Sequence, residues 1–211
     1  RATTVPLLTL AGRQLPPGGC LILTGVSGSG KSSLLHSIAA AVVGSSPPHP
    51  TGVSLVGPDW VRLPPGPAGL AMVFQDARTG LNPHRAIVDS LQAVLMRRGV
   101  AKRCESEAWI QTEFAALDLP AALAARRPEA LSAGEVQRVA LLLALASAPR
   151  LLLCDEPTSA LGASHRRRVV DRLRQAQASG TALLIATHES TLAAALGAAT
   201  FSLRDPDGCG A

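Results

Sequence analysis

The sequence predicts an α/β fold with a mostly parallel β-sheet and an inserted block of helices. Two observations lead to this prediction. Short apolar runs of strand length alternate along the chain with segments of helical periodicity, which is typical of parallel sheets with crossover helices. The middle of the chain, residues 78–148, has helical patterns and no convincing strand. The length of 211 residues suits one domain.

Five apolar runs predict the strands of the sheet. They cover residues 20–24, 52–56, 70–74, 151–154 and 182–187. These runs are almost continuously apolar, which indicates strands that are buried on both faces, as in a parallel sheet. Parallel neighbours are joined by right-handed crossovers, so we expect helices between the strands.

Apolar residues at helical spacing predict those helices. Residues 34–42 keep this spacing after Lys31, and residues 169–176 keep it before the last predicted strand. Further helices are predicted at residues 87–98, 105–117 and 134–147. Loops and a turn are predicted at residues 47–50, 64–67 and 205–208.

The helical block separates two parts of the α/β core along the sequence. We expect a single domain over residues 1–211, with an α/β core formed by residues 1–77 and 149–211. Residues 78–148 then form a helical subdomain inserted into that core.

Composition and charge exclude several classes of protein. With 47% hydrophobic and 17% charged residues, the chain is not intrinsically disordered. Aromatic residues make up only 2%, which argues against nucleic-acid binding by base stacking. The net charge of +5 is spread along the chain, and we interpret its densest run, residues 166–168, as a solvated helix face. No nucleic-acid partner is therefore expected.

Cysteine spacing and hydropathy bear on the redox compartment and on membrane-spanning segments. The four cysteines lie far apart without a CxxC pair, which gives no zinc or disulfide framework and fits a reducing compartment. The longest uncharged apolar run, residues 139–148, is well short of the roughly 20 residues that a membrane-spanning helix needs. The first residues lack the pattern of a signal peptide, so none is expected.

Residues 25–32, Gly-Val-Ser-Gly-Ser-Gly-Lys-Ser, match the phosphate-loop pattern G-x-x-x-x-G-K-[ST]. The motif follows a predicted strand and opens a predicted helix, which is the context that phosphate binding requires. Glycines let backbone N–H groups turn toward phosphate oxygens, and the helix N-terminus adds its dipole. The residues expected to bind the phosphates are Gly25, Ser27, Gly28, Ser29, Gly30, Lys31, Ser32 and Ser33.

Polar residues follow three other predicted strands directly. They are Gln75, the pair Asp155 and Glu156, and His188. Because the carboxyl ends of parallel strands meet at one edge of a sheet, we expect these groups to converge on the phosphate loop. Each of these residues alone is weak evidence for a functional site. A His at a strand end is more often structural, and an Asp-Glu pair often just begins a loop.

The residue types at this edge suit nucleotide hydrolysis. Asp155 and the Ser32 hydroxyl are oxygen ligands for Mg²⁺, and the Gln75 amide is a weaker one. Glu156 can polarise a water for in-line attack on the γ-phosphate. His188 can orient that water or donate a hydrogen bond to the γ-phosphate.

Two further segments complete a set of motifs. Residues 131–140, Leu-Ser-Ala-Gly-Glu-Val-Gln-Arg-Val-Ala, lie shortly before residues 151–161, Leu-Leu-Leu-Cys-Asp-Glu-Pro-Thr-Ser-Ala-Leu. Together with the phosphate loop, Gln75 and residues 187–189, the sequence resembles the nucleotide-binding domain of ABC ATPases. In that family these segments are the LSGGQ signature, the Walker B strand with its D-loop, the Q-loop and the switch histidine.

The resemblance implies a P-loop NTPase core of the RecA type, with an antiparallel β part near the N-terminus. It also implies a dimer in which two such domains face head to tail with ATP and Mg²⁺ between them. Ser132 and Gly134 of one domain would contact the γ-phosphate held by the phosphate loop of the other. Ser32, Gln75 and Asp155 would be the metal ligands. The catalytic residues would then be Glu156, His188 and Gln75.

The same resemblance implies a place and partners in the cell. We expect an ATP-hydrolysing subunit of a bacterial importer, peripheral on the cytoplasmic face of the inner membrane. Its helical subdomain would grip transmembrane permease subunits, with a solute-binding protein taking part indirectly. Residues 73–83, which end in Leu-Asn-Pro, resemble the Q-loop segment of peptide and nickel importers. The expected cargo is therefore a peptide, nickel or a metal chelate.

Several positions depart from the family pattern. Ala133 replaces a signature Gly, Glu135 replaces Gln, and Gly162 stands where the D-loop usually has Asp. The chain has no aromatic residue before Trp60, so we expect weaker adenine selectivity than is usual. These departures are compatible with an asymmetric heterodimer in which one site is weaker.

Three other functions stay open from the sequence. One is an exporter subunit, and another is a soluble or complex-associated ABC ATPase, for example in phosphonate metabolism. The third is a nucleotide-binding structural subunit with little turnover. Lys31, Asp155, Glu156 and His188 argue against this third function, whereas Gly162 is compatible with it.

Overall fold

The computed structural model describes residues 8–10, 13–43, 69–99 and 103–203. The strands are β1 (Leu8–Leu10), β2 (Arg13–Leu15), β3 (Cys20–Thr24), β4 (Leu70–Val73), β5 (Leu151–Asp155), β6 (Ala182–Ala186) and β7 (Ala199–Ser202). The α-helices are α1 (Lys31–Val43), α2 (Ile87–Arg97), α3 (Arg103–Ala116), α4 (Ala133–Ala146), α5 (Ala163–Ala178) and α6 (Ser190–Leu196). Short 3₁₀-helices cover Ala77–Gly80, Ala121–Ala125 and Pro128–Ala130.

Among the described residues, five strands form one parallel sheet in the order β4-β5-β6-β3-β7. Each adjacent pair is parallel, with Leu21 beside Leu184 and Leu152 beside Leu183 in the centre. β1 and β2 form a separate antiparallel pair in which Leu8 faces Leu15. The predicted α/β fold with a mostly parallel sheet and an N-terminal antiparallel part is therefore confirmed.

The core lies on both faces of the sheet because the central strands are apolar throughout. All residues of β5 and β6 are buried. One face packs against β1, β2 and the apolar side of α1. The apolar residues of the other face belong to a larger cluster, to which helices α2 to α6 also contribute. Burial also raises the pKa of the Cys20 thiol to about 12, and that of the Cys154 thiol in the same direction. Both thiols are therefore unreactive at neutral pH.

Helices form the regular structure in the described part of the predicted helical block. Between β4 and β5, the described residues form three α-helices and three 3₁₀-helices, and no strand. The division of the chain into core and helical subdomain stays a prediction. The 3₁₀-helices were not expected, because segments of three to five residues are too short to show a periodicity.

Several boundaries differ from the predictions by one or two residues. β5 extends through Asp155, whereas β4 ends at Val73 and β6 at Ala186. The sequence patterns did not predict α6 or β7. β7 is largely exposed and lies at the edge of the sheet, so it lacks the apolar run of a buried strand. The strand predicted at residues 52–56, the loops at 47–50 and 64–67 and the turn at 205–208 lie outside the described residues.

Within the described ranges, no helix is both long enough and apolar enough to cross a bilayer.

Candidate nucleotide-binding site

A cleft of about 460 Å³ opens at the carboxyl ends of β3, β4, β5 and β6. It is lined by Gly25, Ser27, Gly28, Gly30, Lys31, Ser32, Ser33, Gln75, Asp155, Glu156, Ser159 and His188. The phosphate loop and the three predicted strand-end groups therefore share one cavity. This convergence follows from the parallel sheet, which brings the four carboxyl ends to a single edge.

The loop between β3 and α1 has the backbone that a phosphate cradle requires. Gly28 and Gly30 adopt φ values of 84° and 89°, which strain any residue with a side chain. Gly25 has a φ of 146°, and a Cβ there would lie 2.7 Å from Ser29 Oγ and 2.8 Å from the Leu203 carbonyl oxygen. Such a backbone is the one that lets N–H groups of a loop turn toward phosphate oxygens.

Lys31 closes the loop on itself. Its ammonium donates to the carbonyl oxygens of Gly25 and Val26, both at 2.8 Å, and lies 3.4 Å from Ser29 Oγ. A compact ammonium with three donors can exchange such carbonyl contacts for phosphate oxygens without leaving the loop. Ser29 itself does not line the cleft, unlike the other predicted residues of the loop.

Glu156 stands directly after β5, with its side chain only 12% exposed. Its Oε2 accepts a hydrogen bond from Thr187 Oγ1 at 3.0 Å. Its Oε1 accepts from the His188 backbone N–H at 3.1 Å and lies 2.8 Å from His188 Nδ1. The carboxylate is thus oriented by three groups that follow β6, so two neighbouring strand ends are joined at the cleft.

The His188 ring is 71% exposed, although one of its nitrogens contacts Glu156. The ring therefore lines the cleft beside the carboxylate and stays open to solvent. The sequence predicted that both residues face the cleft, but it gave no sign that they contact each other.

The oxygen donors at the cleft fit a magnesium ion. Asp155 is 3% exposed and shares the cavity with Ser32 and Gln75. Mg²⁺ is usually held by one or two protein carboxylates together with phosphate oxygens and water, whereas a full protein cage is uncommon. The described part of the chain contains no cluster of three or more His, Cys, Asp or Glu that could hold a metal ion.

Similarity to known proteins identifies the family of this chain. A family model described as ABC transporter matches residues 11–159, more than two thirds of the chain. The chain belongs to the ABC transporter family.

Curated relatives from this family are import ATP-binding proteins. The Fe(3+) ions import ATP-binding protein of Streptomyces coelicolor is 39% identical over 86% of this chain and 50% of its own length. The molybdenum import ATP-binding protein of Granulibacter bethesdensis is 36% identical over 81% of this chain and 45% of its own length. For the spermidine/putrescine import ATP-binding protein of Frankia alni, the identity is 36% over 90% of this chain and 39% of its own length. This chain thus spans about half or less of these relatives.

A solved structure shows the same fold. The dimeric structure of an ATP-binding cassette in a post-hydrolysis state, bound to ADP and Pi, aligns with a TM-score of 0.66 at 22% identity. The alignment covers 92% of this chain and 84% of that one. At this identity the likeness establishes the fold of the ABC domain.

The signature of this ABC domain lies away from the cleft. Ser132 caps α4, and neither Ser132 nor Gly134 lines the cavity that holds Lys31. Ser132 Oγ is instead 2.7 Å from Glu135 Oε2, in a reciprocal capping box. The expected N-cap is therefore present.

Three residues near the ABC motifs were not predicted from the sequence to belong to the site or to its supporting contacts. Ser159 lines the cleft, and its hydroxyl donates to the Glu156 carbonyl oxygen at 3.0 Å. Arg78 donates to the carbonyl oxygens of Pro128 and Leu131, so it fastens the segment after Gln75 to the signature. Gln137 is buried within α4 and contacts the loop after β5. The available signal for Gln137 was a polar residue between apolar residues of α4, because buried amides need partners. Its neighbour Arg138 is also polar and buried.

Proposed function

We propose that this chain is the ATP-binding and ATP-hydrolysing part of an ABC importer. The observation that carries this proposal is the shared cleft of the phosphate loop, Asp155, Glu156 and His188. Membership of the ABC transporter family and relatives that are import ATP-binding proteins support the same activity.

The phosphate loop would bind the nucleotide. The N–H groups around Gly28 and Gly30 and the ammonium of Lys31 would hold the phosphate oxygens. The Ser32 hydroxyl, the Gln75 amide and the Asp155 carboxylate would hold Mg²⁺. When bound, this ion would neutralise the charge that develops on the phosphate oxygens.

Glu156 would act as the general base. It would accept the proton of a water whose oxygen attacks the γ-phosphate, while the bond from the γ-phosphorus to the bridging oxygen of ADP breaks. Thr187 and His188 would orient the carboxylate through the hydrogen bonds that they share with it. Because His188 is exposed, its ring can also reach the γ-phosphate.

Hydrolysis would require a second ABC domain. Ser132 and Gly134 lie outside the cleft of their own chain, so they would complete the site of a partner facing head to tail. The N-terminus of α4 would then add backbone N–H groups and a dipole to the γ-phosphate. ATP would stabilise the closed dimer over the open one by its different affinity for the two states.

The cargo and membrane partners extend the proposal beyond this domain. Permease subunits would anchor the chain at the cytoplasmic face of the membrane, and a solute-binding protein would deliver the cargo to them. The relatives named for Fe(3+), molybdenum and spermidine/putrescine import favour a small ion or polyamine. The alternative cargo class, peptide or nickel, rests only on the Leu-Asn-Pro element at residues 81–83.

Substitution of the base tests the catalytic proposal. Glu156→Gln removes the proton acceptor but keeps the side chain's size, so hydrolysis should fall by about a hundredfold or more while ATP still binds. ATP should then hold the variant as a dimer, which light scattering detects. Asp171→Asn, a change on the exposed face of α5, is the control. Native-rate hydrolysis by Glu156→Gln contradicts the assignment of the base.

Isolation of the intact membrane complex tests the importer proposal. Mass spectrometry of its subunits should find two permease chains and a second ABC domain. Recovery of the chain with soluble partners alone, or with permease domains of exporter type, contradicts import.

A further inference from the structure

Gln137 joins the signature helix to the loop that carries Glu156. It lies in the first turns of α4, is 3% exposed and does not line the cleft. Its Nε2 donates to the Glu156 carbonyl oxygen at 2.7 Å. Its Oε1 accepts from the Ala160 backbone N–H at 3.1 Å. One buried amide therefore binds both ends of the segment 156–160.

This segment needs to be held because Glu156 has an unfavourable backbone. Its φ is 48°, in the left-handed region, which costs a residue other than glycine roughly 1 kcal/mol or more. Such a conformation persists only when its surroundings fix it. The Glu156 N–H donates to the Ala186 carbonyl oxygen at 2.9 Å, which fixes one side of the residue. Gln137 and Ser159 fix the carbonyl on the other side.

The same helix approaches this segment at a second point. A Cβ added to Gly134 would lie 3.3 Å from the Ala160 carbonyl oxygen and 3.5 Å from Leu161 Cδ2. The first turn of α4 thus packs closely on the D-loop of its own chain. The signature and the loop after β5 are joined by packing as well as by the hydrogen bonds of Gln137.

We propose that Gln137 is a positioning residue, which fixes the backbone of Glu156 so that its carboxylate meets the attacking water. The proposal rests on the function proposed above, since it concerns the base of that reaction. Gln137 does not touch the cleft, so it acts through Glu156 and the D-loop. It also ties the signature helix, which would serve a partner's nucleotide, to the base of its own site.

Gln137→Met separates positioning from packing. Methionine has nearly the same length and no amide, so it fills the space and loses both hydrogen bonds. Gln111→Met, on an exposed position of α3, is the matched control. We expect kcat to fall about tenfold or more, because a small misplacement of a catalytic group is costly. The KM for ATP should stay within about twofold, because the phosphate loop is untouched.

Hydrogen exchange provides a readout that does not depend on turnover. The Ala160 amide should exchange about tenfold or more faster in Gln137→Met, since it loses its acceptor, while the amides of β5 keep their protection. Gln137→Asn, one carbon shorter, should give the same direction and covers the case in which the methionine variant does not fold.

The two measurements distinguish two kinds of failure. If the wild-type domain with its partners shows no ATP hydrolysis, the proposed function is wrong, and exchange at Ala160 still decides whether Gln137 holds the loop. A folded variant with native kcat, or with unchanged exchange at Ala160, overturns the positioning role.

Discussion

Glu135 shows how one side chain at the start of a helix links pH to stability. Its Oε2 accepts from the Ser132 backbone N–H at 2.8 Å and from Ser132 Oγ at 2.7 Å. These hydrogen bonds, first that from the Ser132 side chain and then that from its backbone, lower the pKa of Glu135 below its ordinary value of 4.5. The ionised carboxylate also lies at the positive end of the α4 dipole.

We expect Glu135→Gln to remove a pH-dependent contribution to stability. A group with a lowered pKa stabilises the fold above its unfolded pKa, and this contribution is lost as the pH falls through the folded value. Near pH 7 the wild type should be more stable by about 0.5 kcal/mol, a small value because the carboxylate is exposed. Near pH 3, below the ordinary pKa of 4.5, the difference should be smaller, since Gln also satisfies a capping box. Urea unfolding at the two pH values measures it, and a difference that is equal at both contradicts the ionised cap.

At the scale of elements, α5 begins without a side-chain cap. Gly162 is its N-cap residue, with φ of −69° and ψ of 163°, and no side chain accepts from the first turn. A Cβ at this position would meet nothing within 4 Å. The first turn also holds no acidic residue. This position, where related D-loops usually have Asp, therefore has both the backbone and the space for that residue.

Gly162→Asp should stabilise the protein, and Gly162→Ala should destabilise it. Asp can accept from the first-turn N–H groups and interacts favourably with the dipole, so we expect a gain of about 0.5 kcal/mol. Alanine offers no acceptor and should lose about the same amount. Chemical denaturation of both variants measures the two effects. If the variants unfold at the same denaturant concentration, α5 gains nothing from a cap, and Asp in related D-loops serves only contacts between chains.

At the scale of the whole molecule, the order of strands and polar residues along the sequence predicted most of the candidate site and part of the fold. Each strand end and its polar residue are local in sequence, and a parallel sheet brings them together. Contacts between segments that are far apart in the sequence have no comparable local pattern that predicts them. Gln137 and Glu156 are 19 residues apart in the sequence, and only the folding of α4 against the sheet brings the amide to that carbonyl. The missed strand β7 shows the same limit, since an exposed edge strand has no apolar run.

Because the cleft draws on four strand ends, ligand binding should stabilise the whole sheet. A ligand that binds only the folded state at about a hundred times its Kd adds about 2.7 kcal/mol to the free energy of unfolding. ATP with EDTA should raise the melting temperature through the phosphate loop, and Mg²⁺ should raise it further through Asp155. Lys31→Ala should lose both increments, because the ammonium no longer reaches the phosphates.

Asp155→Asn separates the metal from the nucleotide. The amide keeps the size of the buried side chain but removes the charge that favours Mg²⁺. We expect this variant to keep the increment from ATP with EDTA and to lose the further increment from Mg²⁺. Asp171→Asn, on the exposed side of α5, should keep both increments. A full Mg²⁺ increment in Asp155→Asn would place the ion elsewhere in the cleft, because the other strand ends would then hold it without this carboxylate.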